Sequence, residues 1–355
     1  MASELSKALK ESFEHGSSIF DSTTSRNVSF QFPLLGFPIK HSLAPVVHNS
    51  MFHTKGLPWK YHLLESKDIN DLRTKLEVSP SGGQDSSVTI GAAVTMPHKV
   101  SFMSHVDELT TEGRSIGAIN TIFTRLDQKT GTLRRIGTNT DTIGIARSFT
   151  TTPNPLFAGE TEPQIGRERP ALVIGGGGAS RSAVFALHHF LGAKEIYLVS
   201  RLKSETDEII SWFAKSPSFN AKLRAVHDLD ESKALTTPYY IVGAIPDIPP
   251  QTPGEKTAHA ITRELLAGAT RASVPKGVVL EMCYHPNIRT TFYEFAEQSG
   301  WTVVPGTIAM IWQAVAQQVL WTETEFVNEI AVVDDLKKIV EGKIAGHTQT
   351  HEARI

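Results

Sequence analysis

The stretch Ala171-Leu172-Val173-Ile174-Gly175-Gly176-Gly177-Gly178 constrains the fold of this chain more than any other. Four apolar residues run straight into four glycines, a helical pattern follows over 179–191, and a second apolar run covers 195–199. That is the layout of a βαβ unit of about 30 residues. Glycine permits the tight turn after the strand and lets backbone amides approach a pyrophosphate, while the helix N-terminus adds positive potential. Ser180 stands where the fingerprint expects a third small residue, so helix and strand can pack closely. Gly175, Gly177, Gly178 and Ala179 are the candidate pyrophosphate-binding residues. Further apolar runs at 239–242, 278–281 and 302–304 extend the unit into a parallel sheet. An α/β Rossmann domain is expected.

The end of the second strand bears on the nucleotide. An NAD enzyme carries Asp or Glu there for the ribose 2′-hydroxyl, but this chain reads Ser200-Arg201-Leu202-Lys203. The missing carboxylate and the paired cations suit a 2′-phosphate, with Ser200 and Arg201 as its contacts. NADP is therefore expected, with NAD left open. The competing reading makes Arg201 and Lys203 solvated loop charges.

A chain of 355 residues exceeds what one hydrophobic core usually serves, so a second domain is expected. Ahead of the glycine turn, short apolar runs alternate with helical patterns over 32–76, a strand follows at 91–95, and a hairpin pairs 119–125 with 133–137. The expected division is a flexible N-terminus over 1–28, a substrate domain over 29–148 and a Rossmann domain over 149–305. Helices over 306–342 return to brace the first domain, and a flexible tail covers 343–355. The polar segment 150–169 reads as a surface loop.

Composition narrows the partners. A formal charge of −2, with Lys and Arg spread along the chain, leaves no electrostatic footprint for nucleic acid. The lone cysteine, Cys283, gives no support to an oxidising compartment or a zinc site, and no metal is expected. The chain shows neither a signal-peptide pattern nor a run of the ~18 apolar residues that span a membrane. A cytoplasmic protein with a small-molecule partner is expected, as a monomer or homodimer.

Polar residues of the first domain concentrate in segments bounded by Gly and Pro. These are Pro38-Ile39-Lys40-His41-Ser42-Leu43-Ala44-Pro45 with His48-Asn49, Val94-Thr95-Met96-Pro97-His98-Lys99, Gly117-Ala118-Ile119-Asn120-Thr121, and Asn139-Thr140-Asp141. A lysine and an aspartate near strand ends, with amides and hydroxyls around them, can hold a polyhydroxylated ring and move a proton. With the glycine turn through Arg181, with Tyr284-His285-Pro286 and Thr290, and with Gly306 followed by Gln313, these segments resemble the shikimate and quinate dehydrogenase family in order and spacing. The resemblance covers about 34–321.

The resemblance implies an N-terminal substrate domain completed by the helices after Gly306, with a Rossmann domain between. It implies Lys99 and Asp141 as the catalytic pair, Asn120, Thr95 and Gln313 on ring hydroxyls, Ser42 with Tyr284 on a carboxylate, and Gly306 toward the cofactor. The activity implied is interconversion of shikimate or quinate and its 3-dehydro acid by an NADP-dependent oxidoreductase, in aromatic amino acid biosynthesis. A paralogue acting on a different carboxylated cyclic polyol, or a non-catalytic sensor or repressor of the same fold, are the other readings. Intact Lys99, Asp141 and glycine turn argue against the sensor. Departures from the family pattern fall at Ala44, Ala93, Gly243, Glu281 and Ala309.

Overall fold

In the computed structural model, which describes residues 3–20, 26–77, 88–152, 169–271 and 275–352, the chain divides into two units. The first comprises Met1–Arg114, Ala118–Ile143 and Met310–Ile355, and the second Ser115–Gly117 and Gly144–Ala309. The loop expected over 150–169 lies almost wholly outside the described residues.

The first unit opens with α1 (Glu4–Ser12), where an unpatterned end was expected. Ser3 caps it by accepting from the Ser6 N–H, and Leu5 and Leu9, one turn apart, are buried. Then come β1 (Phe30–Gly36), α2 (Ala44–Thr54), β2 (Lys60–Glu65), α3 (Asn70–Leu76), β3 (Val88–Thr89) and β4 (Gly91–Val94). They are followed by β5 (Glu108–Leu109), α4 (Thr111–Ile116), β6 (Thr121–Leu126), β7 (Leu133–Thr138) and α5 (Asp141–Thr150), which belongs to the second unit from Gly144 onward. The sheet order is β2-β1-β4-β6-β7-β5, with β3 also on β1. β1 is parallel to β2, β3 and β4, whereas β4, β6 and β7 pair antiparallel. The expected hairpin is present, but its first strand starts at Thr121, which leaves Asn120 in the loop at its entrance.

Alternation along β1 assigns its faces. Phe30, Phe32 and Leu34 join Phe52, Trp59 and Trp321 in one buried cluster, and Leu35 faces another with Leu72, Val94 and Ile122. Trp321 donates from Nε1 to the Ile122 carbonyl at 2.9 Å.

The second unit runs β8 (Ala171–Ile174), α6 (Gly178–His189), β9 (Glu195–Val199), α7 (Lys203–Phe213), β10 (Lys222–Ala225) and α8 (Leu229–Lys233). It continues with β11 (Tyr240–Gly243), α9 (Pro253–Arg271), β12 (Val278–Glu281), α10 (Thr291–Gln298) and β13 (Thr302–Pro305). Its sheet is wholly parallel, in the order β10-β9-β8-β11-β12-β13. Ala171 and Val173 face one core and Leu172 and Ile174 the other, which is why β8 reads as an unbroken apolar run. The chain leaves β8 toward β9 and later returns beside it as β11, so the carboxyl ends of β8 and β11 flank the topological switch point where such sheets bind ligands. Sequence reading missed β10 because Lys222-Leu223-Arg224-Ala225 is an edge strand with charges on alternate positions.

The chain then forms α11 (Gly306–Thr322) and α12 (Glu329–Glu352). From Met310 onward it belongs to the first unit, the return that the resemblance implied. The tail expected to be flexible from 343 is helical to Glu352.

Candidate active site

In the first unit, Lys99 and Asp141 form an ion pair between Nζ and Oδ2, with side chains only 14% and 9% exposed. Backbone bonds fix both residues. The Ile119 N–H donates to the Lys99 carbonyl at 2.8 Å, which ties the loop after β4 to the segment before β6. Asp141 opens α5, and its own N–H donates to Asn139 Oδ1 at 3.1 Å, while Asn139 Nδ2 donates to the Ala118 carbonyl at 2.9 Å.

Asn120 is the centre of the polar network around this pair. Its Nδ2 lies 2.8 Å from Asp141 Oδ1, 3.0 Å from Thr140 Oγ1 and 3.1 Å from Gln313 Oε1. Its Oδ1 accepts from the Thr140 N–H at 2.8 Å and from Thr121 Oγ1 at 2.6 Å. The Asn120 amide is therefore oriented with its donor toward the carboxylate, and both Asp141 oxygens have donors. The next turn of α11 extends the network, with Gln317 Nε2 donating to Thr121 Oγ1 at 2.9 Å and Gln317 Oε1 lying 3.0 Å from His48 Nε2. Burial pushes the His48 imidazole down to about 3, against the opposing hydrogen bond that its Nε2 donates to Gln317 Oε1. Thr142 donates to the Glu112 carboxylate at 2.6 Å, and burial pushes that carboxyl up to about 7.

Lys99, Asp141, Asn120 and Gln313 thus come together as one cluster. Thr140, Thr121 and Gln317 belong to it; the sequence reading had the two threonines only as members of the polar segments and missed Gln317. Gln317 carried a usable signal, since it follows Gln313 by four residues and shares its helix face. Ser42 and Thr95 sit in neighbouring loops. Ser42 Oγ accepts from the Ala44 N–H at 3.3 Å, Thr95 donates its N–H to the Leu35 carbonyl at 2.8 Å, and the Phe37 N–H reaches the Met96 carbonyl at 2.9 Å to join the two loops. Ala44, where the family pattern has a second serine, is 5% exposed and packs in the aromatic cluster. Tyr284 lies in the second unit, in the loop after β12.

The glycine turn of the second unit suits a dinucleotide. Gly175 has φ 127°, a conformation that L side chains rarely adopt, and its N–H donates to the Val199 carbonyl at 2.8 Å. Space is open where a Cβ of Gly177 would project. The N-cap of α6, Gly177, has no side chain with which to cap the first N–H groups, a helix start suited to a pyrophosphate. Gly178 and Ala179 form the first turn of α6, Ser200 follows β9, and Gly306 opens α11 close to the Met282 and Glu281 carbonyls. Arg201 is 57% exposed and pairs with Glu255 at 3.0 Å and with Glu205 at 3.9 Å.

Two departures from the family pattern are one structural event. The Glu281 carboxylate occupies the space that a side chain at position 243 would take, so Gly243 and the longer acid fit together. Burial raises the Glu281 carboxyl well above the usual carboxylate range, against the hydrogen bond donated by Thr290 Oγ1 at 3.2 Å and with the like charge of Asp247 adding to the rise.

Among the described residues no three of His, Cys, Asp and Glu are grouped as metal ligands, and no helix is long and apolar enough to cross a membrane.

The profile described as shikimate dehydrogenase substrate binding domain matches residues 34–122. The chain is 34% identical to the quinate dehydrogenase of Emericella nidulans over 321 residues, covering 90% of this chain and 95% of that protein. Among solved structures, the dehydroquinate dehydratase and shikimate dehydrogenase from S. pombe AroM is 30% identical with a TM-score of 0.64, over 89% of this chain and 54% of that one. The fold is also that of the shikimate 5-dehydrogenase from Thermus thermophilus, solved with NADP(H) and shikimate, at 24% identity and a TM-score of 0.62 over 87% of this chain and 99% of that one.

Proposed function

The chain belongs to the shikimate/quinate dehydrogenase family, and from that premise we propose that it interconverts shikimate or quinate and the corresponding 3-dehydro acid by hydride transfer with NADP. The observation that carries the reading is the buried Lys99–Asp141 pair with Asn120 and Gln313 around it. When bound, the nicotinamide accepts or returns the hydride.

The side chains then have these roles. As hydride reaches the carbonyl carbon, negative charge develops on its oxygen, and Lys99 Nζ donates a proton there. In the oxidative direction it takes the hydroxyl proton back. Asp141 holds the ammonium in place and accepts from a ring hydroxyl. Asn120, Gln313 and Thr95 offer further donors and acceptors to ring hydroxyls, while Ser42 and Tyr284 meet the carboxylate. In the second unit, the glycine turn and the N-terminus of α6 hold the pyrophosphate, and Arg201 meets the 2′-phosphate.

The reading also takes the enzyme as cytoplasmic and as a monomer or homodimer, which fractionation and light scattering check. The decisive experiment is a steady-state assay of shikimate and quinate with each nucleotide. Turnover of either ring acid supports the reading, and binding of a ring acid without turnover would establish a sensor instead.

A further inference from the structure

We propose that the Glu205 carboxylate accepts the 2′-hydroxyl of an unphosphorylated adenosine ribose, so that the nucleotide site admits NAD as well as NADP and Glu205 sets the balance between them. This rests on the assignment of the glycine turn to a dinucleotide.

No carboxylate stands at 200–203, where the sequence pattern of an NAD site would place one. The fold supplies one from the first turn of α7. Glu205 lies against the glycine turn, because a Cβ at Gly176 would run into its side chain. Ser200, the first residue after β9, donates its hydroxyl to Glu205 Oε2 and holds the carboxylate at the end of that strand. That position, beside the turn and at the carboxyl end of the second strand, is where a βαβ fold places the adenosine ribose. The other oxygen, Oε1, is 3.9 Å from Arg201 Nε, too far for a hydrogen bond, and the side chain keeps 29% of its surface exposed. An acceptor thus remains for a ribose hydroxyl.

The same geometry makes a 2′-phosphate on Arg201 compete with two carboxylates. The guanidinium is shared between Glu205 and Glu255, and Glu255 is fixed by the N–H groups of Gln251 at 3.0 Å and Thr252 at 2.9 Å. A phosphate bearing about two negative charges has to share the cation with both carboxylates and lie near one of them. A hydroxyl only gains an acceptor.

The test is calorimetric titration of NAD and NADP, without ring acid, into the wild type, Glu205→Gln and Glu205→Asp. Gln keeps the size of Glu and removes its charge. The expected result is that Glu205→Gln weakens NAD by about tenfold, the lower end for a hydrogen bond to a charged group, while NADP is unchanged or tighter, and that Glu205→Asp restores part of the NAD affinity. Tighter NADP with unchanged NAD would mean that Glu205 only restrains Arg201, and overturns the proposal. An unchanged ratio of the two affinities overturns it as well, with the dinucleotide assignment intact. Failure of the wild type to bind either nucleotide overturns both.

Discussion

Replacing Lys99 by alanine removes the ammonium from a site where Asp141 keeps one remaining strong donor, Asn120 Nδ2 at 2.8 Å. Two separable effects should follow. Turnover should fall by roughly 10² to 10⁴, the scale for a positioned acid or base, which corresponds to about 3 to 5 kcal/mol of barrier. KM for the ring acid should change by less, since the proton moves only as charge develops on the reacting oxygen. The stability change is bounded from the burial. Breaking a fully buried pair costs about 3 to 5 kcal/mol, but here 14% and 9% of the side chains remain exposed, so water can reach the vacated side and a cost toward the lower end is expected. The assay is kcat and KM at saturating nucleotide, beside nucleotide titration and urea unfolding of the same preparations. A variant that binds nucleotide normally, unfolds cooperatively and keeps turnover within about fivefold of the wild type, against the 10² expected, would refute the assignment of Lys99.

Other outcomes can be checked independently. Arg201→Ala should weaken NADP by about tenfold, the lower end for charge-assisted bonds at a half-exposed cation, and NADP titration unmoved by the change would exclude Arg201 from the phosphate site. Glu323→Ala should lower stability by about 3 to 5 kcal/mol, because it strips Arg125, 1% exposed, of a buried partner at 3.1 Å; a urea midpoint within error of the wild type would show the pair to be neutral. His48 titrates near 3 in the folded chain and near 6.5 when unfolded, so the unfolded state binds the extra proton between those values. Its contribution to stability is full above about 6.5 and is lost on acidification by up to roughly 1.4 kcal/mol per pH unit. His48→Gln should flatten the urea-midpoint profile over that window, and an unchanged slope would assign it to other groups.

The sequence by itself determined the elements that depend on local pattern. The run from Ala171 to Ile174 and the glycines after it specify a doubly buried strand, a tight turn and a helix, because each feature needs only neighbouring residues to be read. The family resemblance carried by the ordered polar segments implied Lys99, Asp141, Asn120 and Gln313. Tertiary structure decided which side chains meet. Thr140, Thr121 and Gln317 enter the Asn120 network because the loop before β6, the start of α5 and a helix almost two hundred residues later converge, a fact no local period encodes. Ala44 stood in the sequence only as a departure from the family pattern, and the fold packs it among aromatics. Glu205 was invisible for the same reason. The rule for a ribose acid reads positions along one strand, whereas the structure brings the carboxylate in from the following helix, where an absent side chain at Gly176 leaves it room.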